Sequence, residues 1–281
     1  MKSPKSVAPS FLLDCARPKK LSYARVRSTS LPVRLHPLAA ALHDSSRALL
    51  SWADAPAQTG PAWVADGAGR AGRVLAGLAD LLHHPQARDA LRRPWTEQLL
   101  DDLLLLADLH GCFRESLVAL GQLLAETHAA LRRRDGARLA AALRAQRRAA
   151  REVSRLAASA RDLSHRAAPD GESDEATLAD AFAAATAAVA AASAAVFSGV
   201  AAASAESAAS AAPSVTDLLR RRRTVSFEDS CNEEEEERKA AMARVRGLEE
   251  CVDAAETGCE EVYRALVNAR VSLLNLLTPT F

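Results

Sequence analysis

The sequence predicts an all-α fold: an elongated multi-helix bundle, some of whose helices are long and heptad-patterned. Apolar residues recur at alternating spacings of three and four between residues 245 and 276, which aligns them along one face of a helix. Aromatic residues make up only 4 % of the chain, and the period-two alternation typical of strands is almost absent. Abundant alanine, leucine and arginine favour helices that pack closely through small side chains.

The C-terminal apolar stripe, called the seam below, predicts a helix with one long buried face. Its flanking positions carry few of the charges that fix strand pairing in a dimeric coiled coil. A second heptad stripe runs through residues 99–131 of the same chain. We therefore expect the seam to pack mainly inside the bundle. The seam consists of Val245, Leu248, Val252, Ala255, Cys259, Val262, Leu266, Ala269, Leu273 and Leu276.

Residues 1–37 predict a disordered basic tail that precedes a single helical domain over 38–277. The tail carries five prolines, several serines and eight lysines and arginines against one acid, Asp14. Such a basic, serine-containing and acid-poor segment is also compatible with a plastid targeting peptide, although its proline spacing disfavours an amphipathic helix.

The first half of the domain predicts helices separated by proline and glycine. We expect a helix over 38–52, a second over 64–82 and a short helical turn at 86–91. A long helix then begins at Trp95. Its heptad stripe consists of Leu99, Leu103, Leu106, His110, Phe113, Leu117, Leu120, Leu124, Thr127 and Leu131.

The second half predicts three further helices. A break at 134–136 starts an arginine-rich helix that ends near residue 164. Residues 176–212 contain 21 alanines and favour a tightly packed core helix. Because 181–205 carries no charge and is long enough to span a bilayer, a membrane-associated helix is the alternative. An exposed linker is expected over 213–231, and Asn232 is the expected N-cap of the final helix.

Charge is strongly segregated although the net charge is only +1. Residues 128–170 carry eleven arginines and four acids, whereas 224–262 carry thirteen acids and four bases. Overall neutrality argues against a dedicated nucleic-acid binder. The segregation predicts that the basic and acidic helices pair with each other inside the chain.

No catalytic, cofactor or metal constellation is evident, so we expect a non-enzyme without a cofactor. The string Gly67-Ala-Gly69-Arg-Ala-Gly72 lacks the preceding strand that a dinucleotide site needs. His83 and His84 suit a helix C-terminus, and His110 suits a satisfied core position. Five cysteines without a C-x-x-C pair favour a reduced intracellular compartment.

Two basic segments predict regulation by phosphorylation. Arg27-Ser28-Thr-Ser30-Leu-Pro32 has the R-S-x-S-x-P pattern, and phosphate on Ser30 would suit an arginine-lined groove such as that of a 14-3-3 protein. Residues 221–226 resemble a basophilic kinase site. The candidate phosphosites are Ser28, Ser30, Thr224 and Ser226.

Four stretches resemble one family, the plant-specific domain-of-unknown-function family 241 (DUF241). Arg25–Leu38 is similar to its opening R-S-x-S-x-P and H-P-L signature. Leu78–Leu91, Trp95–Leu131 and Leu248–Asn275 resemble its inner segment, its long helix and its C-terminal signature. The alanine-rich run replaces the family's usual apolar segment.

The resemblance implies a helical plant protein with no established enzymatic activity, distantly related to BYPASS-type proteins. It implies a role in root and shoot development, carried out through protein partners. We expect a cytoplasmic helical scaffold, with plastid or membrane association as the alternatives. The sequence leaves the oligomeric state open.

Overall fold

The computed structural model describes residues 37–55, 59–84, 91, 95–166, 174–221 and 227–278, without the side chains of 174–177 and 210–234. Within these residues the chain forms six helices and no strand, which confirms the all-α prediction. The helices are α1 (Pro37–Ala53), α2 (Pro61–Leu82), α3 (Trp95–Arg133), α4 (Gly136–Ser164), α5 (Asp174–Arg221) and α6 (Phe227–Leu277).

Local sequence explains how the described helices begin and end. Pro61 occupies the first position of α2, where its missing N–H would have no helical partner. The turn between α3 and α4 places Arg134 in the left-handed region, with φ 56°. Asp135 then caps α4, because its carboxylate accepts a 3.0 Å hydrogen bond from the Arg138 N–H. This tight turn makes α3 and α4 antiparallel neighbours.

The alanine-rich helix α5 lies at the centre of the bundle and packs against all five other helices. α3 packs between α4 and α6, and α2 packs against α6 and α1. Alanine suits the central position because its small side chain lets five neighbours approach one helix. Phe182 and Phe197 are buried between these neighbours and fill the space that the alanines leave.

Both heptad stripes lie in the interior. The seam is buried from Val245 to Leu273, and Leu276 is partly buried against the core. Every member of the α3 stripe from Leu99 to Leu131 is also buried. The two stripes therefore face a shared core within one chain.

The expected linker is largely helical instead. α5 continues through Pro213 to Arg221, and α6 already begins at Phe227, so Asn232 lies inside α6 and is not its N-cap. Proline favours a helix boundary but does not impose one, and the alanine-rich residues that precede Pro213 are strong helix formers. The tail 1–36 and the turn at 86–90 lie outside the described residues.

Two glycines allow side chains to approach a helix backbone closely. A Cβ at Gly67 would lie 2.2 Å from the indole ring of Trp52, which stacks on Trp63 at 4.7 Å between ring centroids. A Cβ at Gly258 would lie 2.4 Å from the Cβ of Ala68, where α6 crosses α2. At both places a neighbouring side chain therefore lies directly against the helix backbone.

Replacing Gly258 by alanine is expected to destabilise the protein by about 1–3 kcal/mol, because the added methyl overlaps Ala68. Gly247 lies on the same helix, and a methyl added there would meet open space. Gly247→Ala is therefore expected to stabilise the protein by up to about 1 kcal/mol through helix propensity. Urea denaturation of the two variants measures the contrast. Equal effects of the two substitutions would contradict the tight α2–α6 crossing.

Candidate functional site

A chain of polar side chains crosses the centre of the bundle and joins three helices. His110 of α3 is fully enclosed, with its Nδ1 3.4 Å from the Cys259 sulfur of α6 and its Nε2 2.9 Å from the Ser193 hydroxyl of α5. The Ser193 hydroxyl donates to the Val189 carbonyl at 2.8 Å. The imidazole also meets the Phe197 ring edge-on, at 5.2 Å between centroids. Through these contacts, His110 connects α3 to both α5 and α6.

The hydrogen-bond directions place two of the protons in this chain of contacts. The Ser193 hydroxyl donates to the Val189 carbonyl, and the Cys259 thiol donates to the His110 carbonyl oxygen at 3.3 Å. The Ser193 oxygen is therefore free to accept the Nε2–H of His110, while Nδ1 faces the Cys259 sulfur. Burial lowers the pKa of His110 to about 4. Burial likewise raises the pKa of Cys259 to about 12.

The shifted pKa values of Cys259 and His110 favour a neutral thiol beside a neutral imidazole, and a neutral thiol is a poor nucleophile. A catalytic Cys–His dyad needs a thiolate beside an imidazolium, and here both shifts keep the proton on sulfur. The neighbouring cavity, lined by residues such as Phe113 and Val196, measures about 20 Å³. That volume holds about one water molecule, which leaves no room for an organic substrate. The chain of contacts therefore fixes the register of three helices.

The glycine string of α2 does not present a phosphate site. Gly67, Gly69 and Gly72 lie past the first turn of the helix, where the backbone N–H groups already bond within the helix. Gly67 instead provides the space that the Trp52 ring occupies. His83 ends α2 as its C-cap residue, with its Nδ1 2.6 Å from the Ala79 carbonyl oxygen.

Asp102 and Arg166 form an ion pair that joins the start of α3 to the end of α4. Burial raises the pKa of Asp102, and the guanidinium of Arg166 partly offsets that effect. The neighbouring Asp101 is exposed, so the two aspartates do not face one site. Among the described residues no group of three histidine, cysteine or acidic side chains is placed to hold a metal ion.

The candidate phosphosites Ser28, Ser30, Thr224 and Ser226 all lie outside the described residues. The seam residues lie in the core and are not available to a partner without unfolding. Among the described cysteines, Cys112 is exposed, while Cys251 and Cys259 are buried.

The expected pairing of basic and acidic helices is largely wrong. α3 lies between the arginine-rich α4 and the acidic α6, so most of their charges are held apart. In the part of the chain that the structure describes, the arginine–glutamate contact between the two blocks joins Arg134 to Glu235, at 3.7 Å and exposed, and His128 lies 3.8 Å from Glu249. Most arginines of α4 thus face solvent.

An open cleft of about 530 Å³ lies between α3 and α4 near their shared turn. Alanines form its floor, and Glu126, Arg133, Arg138 and Arg148 line its rim. Together with the exposed face of α4, it forms a basic surface in the described part of the domain. A positive, open surface of this kind suits a macromolecular partner better than a small apolar ligand.

Within the described ranges, one helical segment, Leu178–Ala209, is long and apolar enough to cross a membrane, and the mean hydropathy of its most apolar window is 1.8. Two thirds of its most apolar window, 67 %, is buried inside the bundle. The core helix of a soluble protein can have the same length and hydropathy. These two properties therefore do not distinguish a membrane-spanning helix from a buried core helix.

Ser193 is the site residue that sequence reasoning did not identify. It lies in the alanine-rich run, where serine and alanine are nearly interchangeable in a close-packed helix. Its partnership with His110 depends on how α3 and α5 are aligned, which no local pattern encodes. A histidine on an apolar stripe is nonetheless a signal that some buried polar partner exists.

Comparison with known proteins gives one family match. Residues 73–276 match the family model described as Protein BPS1, which spans α2 from its middle through nearly all of α6. No curated protein matches the chain, and no solved structure matches it.

Proposed function

The chain belongs to the BPS1 family, the DUF241 family, and from that premise we propose that it is a non-enzymatic regulatory protein that acts by binding other proteins. The resemblance to DUF241 is thereby confirmed, and the matched span includes the inner segment, the long helix and the C-terminal signature. The Arg25–Leu38 signature precedes the matched span. The setting we propose is plant root and shoot development, in the cytoplasm.

The exposed basic surface of α4 is the observation that carries this proposal. The interior supports it, since its His–Cys pair is held neutral beside a cavity of about 20 Å³. The chemistry that remains accessible lies on helix faces, and charged helix faces serve recognition. A rigid all-helical bundle that presents such faces is suited to act as a scaffold.

We further propose that phosphorylation of Ser30 controls partner capture. Phosphate adds about −1.5 to −2 charge and three acceptor oxygens to a segment rich in lysine and arginine. A phosphopeptide-binding protein of the 14-3-3 type is the partner that this motif suits. Thr224 and Ser226 form a second candidate switch.

Binding of the full chain to a 14-3-3 protein tests this switch directly. We expect the chain phosphorylated by a basophilic kinase to bind, and Ser30→Ala to lose at least about tenfold in affinity, since the phosphate makes charge-assisted hydrogen bonds. Ser28→Ala is the matched control in the same motif and should bind like wild type. Unchanged capture by Ser30→Ala would remove this part of the proposal.

Membrane association is the second candidate function, and the apolar length of Leu178–Ala209 favours it. In that case the helix would have to leave the core, because Phe182 and Phe197 are buried there. Carbonate extraction of a membrane fraction distinguishes the two. Release into the supernatant supports the scaffold, whereas retention in the pellet supports insertion.

A further inference from the structure

Two charged stripes of opposite sign have the same spacing on different helices. The arginine stripe of α4 consists of Arg144, Arg148, Arg151 and Arg155. The acidic stripe of α6 consists of Glu249, Asp253, Glu256 and Glu260. Each follows the spacing four, three, four, which places its members on one face of its helix over about 17 Å.

The arginine stripe is solvent-accessible and has few partners within the bundle. All four arginines are exposed. In the described structure, the ion pair that involves this stripe joins Arg155 to Glu152 of the same helix. Exposed pairs of this kind contribute little, so the stripe keeps most of its positive charge available to a partner.

The acidic stripe is also accessible to solvent. Glu249 and Glu260 make only long contacts to α3, at 3.8 Å to His128 and 3.9 Å to Arg114. Glu260 also pairs with Arg264 of its own helix, at 2.9 Å and exposed. The part of the chain that the structure describes therefore leaves most of the acidic charge unneutralised.

The two stripes stand at the same level on opposite sides of α3. The turn at Arg134 and the Asp102–Arg166 pair fix the register of α4 against α3. That register places Arg155 level with Arg114, and Arg114 contacts Glu260. Because α4 and α6 both run antiparallel to α3, they run parallel to each other. Their charges therefore match in level and direction, yet α3 keeps them apart.

The exposed edge of α3 between the stripes carries small and apolar residues at heptad spacing, Leu104, Gly111, Val118 and Ala125, interleaved with the exposed acids Asp108 and Glu115. Leu104 is 39 % exposed and Val118 is 47 % exposed, and a Cβ at Gly111 would meet nothing within 4 Å. The small residues let an identical helix approach closely. Because Asp108 and Glu115 place like charges at this edge, the attraction between two copies comes from the flanking charged stripes.

We propose that these surfaces form a two-fold symmetric dimer with a second copy of this chain. A two-fold axis parallel to α3 packs the exposed α3 edges of the two copies together and brings α4 of each beside α6 of the other. The rotation preserves level and direction, so each arginine of one stripe stands opposite an acid of the partner copy. In such an isologous interface, the arginine stripe of each copy pairs with the acidic stripe of the other copy.

This inference deepens the scaffold function and rests on it, because it names the partner bound by the basic face of α4 as another molecule of the same protein. It does not depend on phosphorylation, so capture by a 14-3-3 protein and dimerisation can fail separately. The opposite charge, equal spacing and matched level of the two stripes favour a second copy as the partner. An anionic membrane or an unrelated acidic protein would not carry charges at the spacing of the α6 stripe.

Sedimentation of the full chain with two complementary variants tests the dimer. One variant reverses the arginine stripe at its centre, Arg148→Glu with Arg151→Glu. The other reverses the acidic stripe, Asp253→Arg with Glu256→Arg. We expect wild type to dimerise at about 50 mM salt and to weaken markedly at about 500 mM. Each variant alone should dimerise at least about 100-fold more weakly, because like charges then oppose each other.

An equimolar mixture of the two variants is expected to form a heterodimer, since each reversed stripe then meets its complement. Reversing Arg47 and Arg73, which lie on α1 and α2, is the charge-matched control and should leave the dimer intact. Circular dichroism confirms that all variants remain helical. A monomeric wild type at about 50 mM salt, or variants that fail to restore each other, would overturn the proposal. So would wild type that stays monomeric and binds anionic lipid vesicles through Arg148 and Arg151.

Discussion

Substituting aspartate for Leu266 is expected to unfold the domain. Leu266 is completely buried in the seam of α6, among apolar neighbours that offer a carboxylate no partner. Burying an unpaired polar or charged group and losing the leucine contacts together remove about 4 kcal/mol or more. That loss is comparable to the whole stability of many domains. Far-ultraviolet circular dichroism and urea denaturation measure it.

Val267→Asp provides the matched control for this substitution. Val267 is the next residue on the same helix and is 37 % exposed, so its aspartate reaches water. We expect a change in stability within about 0.5 kcal/mol. If Leu266→Asp instead left a folded monomer and only dissociated a dimer, the seam would be an intermolecular surface, and its place inside the bundle would be wrong.

The second large effect is a loss of stability in acid that traces to His110. Its pKa is lowered by burial from 6.5 to about 4, so the unfolded chain binds the proton more readily than the folded one. The neutral imidazole therefore contributes stability that is fully present above pH 6.5 and is lost as the pH falls toward 4. Linkage gives a loss of about 3 kcal/mol by pH 4.

His110→Gln isolates this contribution, because glutamine keeps a hydrogen-bonding side chain but does not titrate. The facing groups do not titrate in this range, since the pKa of Cys259 is raised to about 12 and Ser193 is neutral. Urea denaturation at pH 7 and pH 4 should give a smaller acid loss for the variant than for wild type, by about 3 kcal/mol. Equal acid losses in the two proteins would show that His110 is not held neutral in the fold.

The heptad patterns predict most of the fold because they record burial directly. Leu103 and Leu266 lie on separate stripes, and both are completely buried. Helix ends are predictable where a turn has its own chemistry, as at Asp135. The predicted linker is too long because the helix-breaking tendency of Pro213 competes with the alanine-rich helix that precedes it, and the balance depends on the surrounding bundle.

The candidate sites are less predictable because they depend on the order of helices around the core. Local pattern places His110 on a buried face but contains no information about Ser193, which lies in a different helix. The charge blocks suggest internal pairing, whereas the position of α3 separates them. Opposite charge predicts attraction, but topology decides whether that attraction acts within one chain or between two.

The central position of α5 has a consequence for synthesis on the ribosome. α1 packs against α5, and α2 packs against α6, so these contacts of the two earliest helices form only after most of the chain has been made. At roughly 5–20 residues per second, the time between synthesis of α1 and of α5 is on the order of 10 s. During that interval the faces that α1 and α2 later bury against α5 and α6 are uncovered. The nascent protein is therefore expected to need chaperone protection, and a ribosome that stalls before α5 releases a chain that cannot fold.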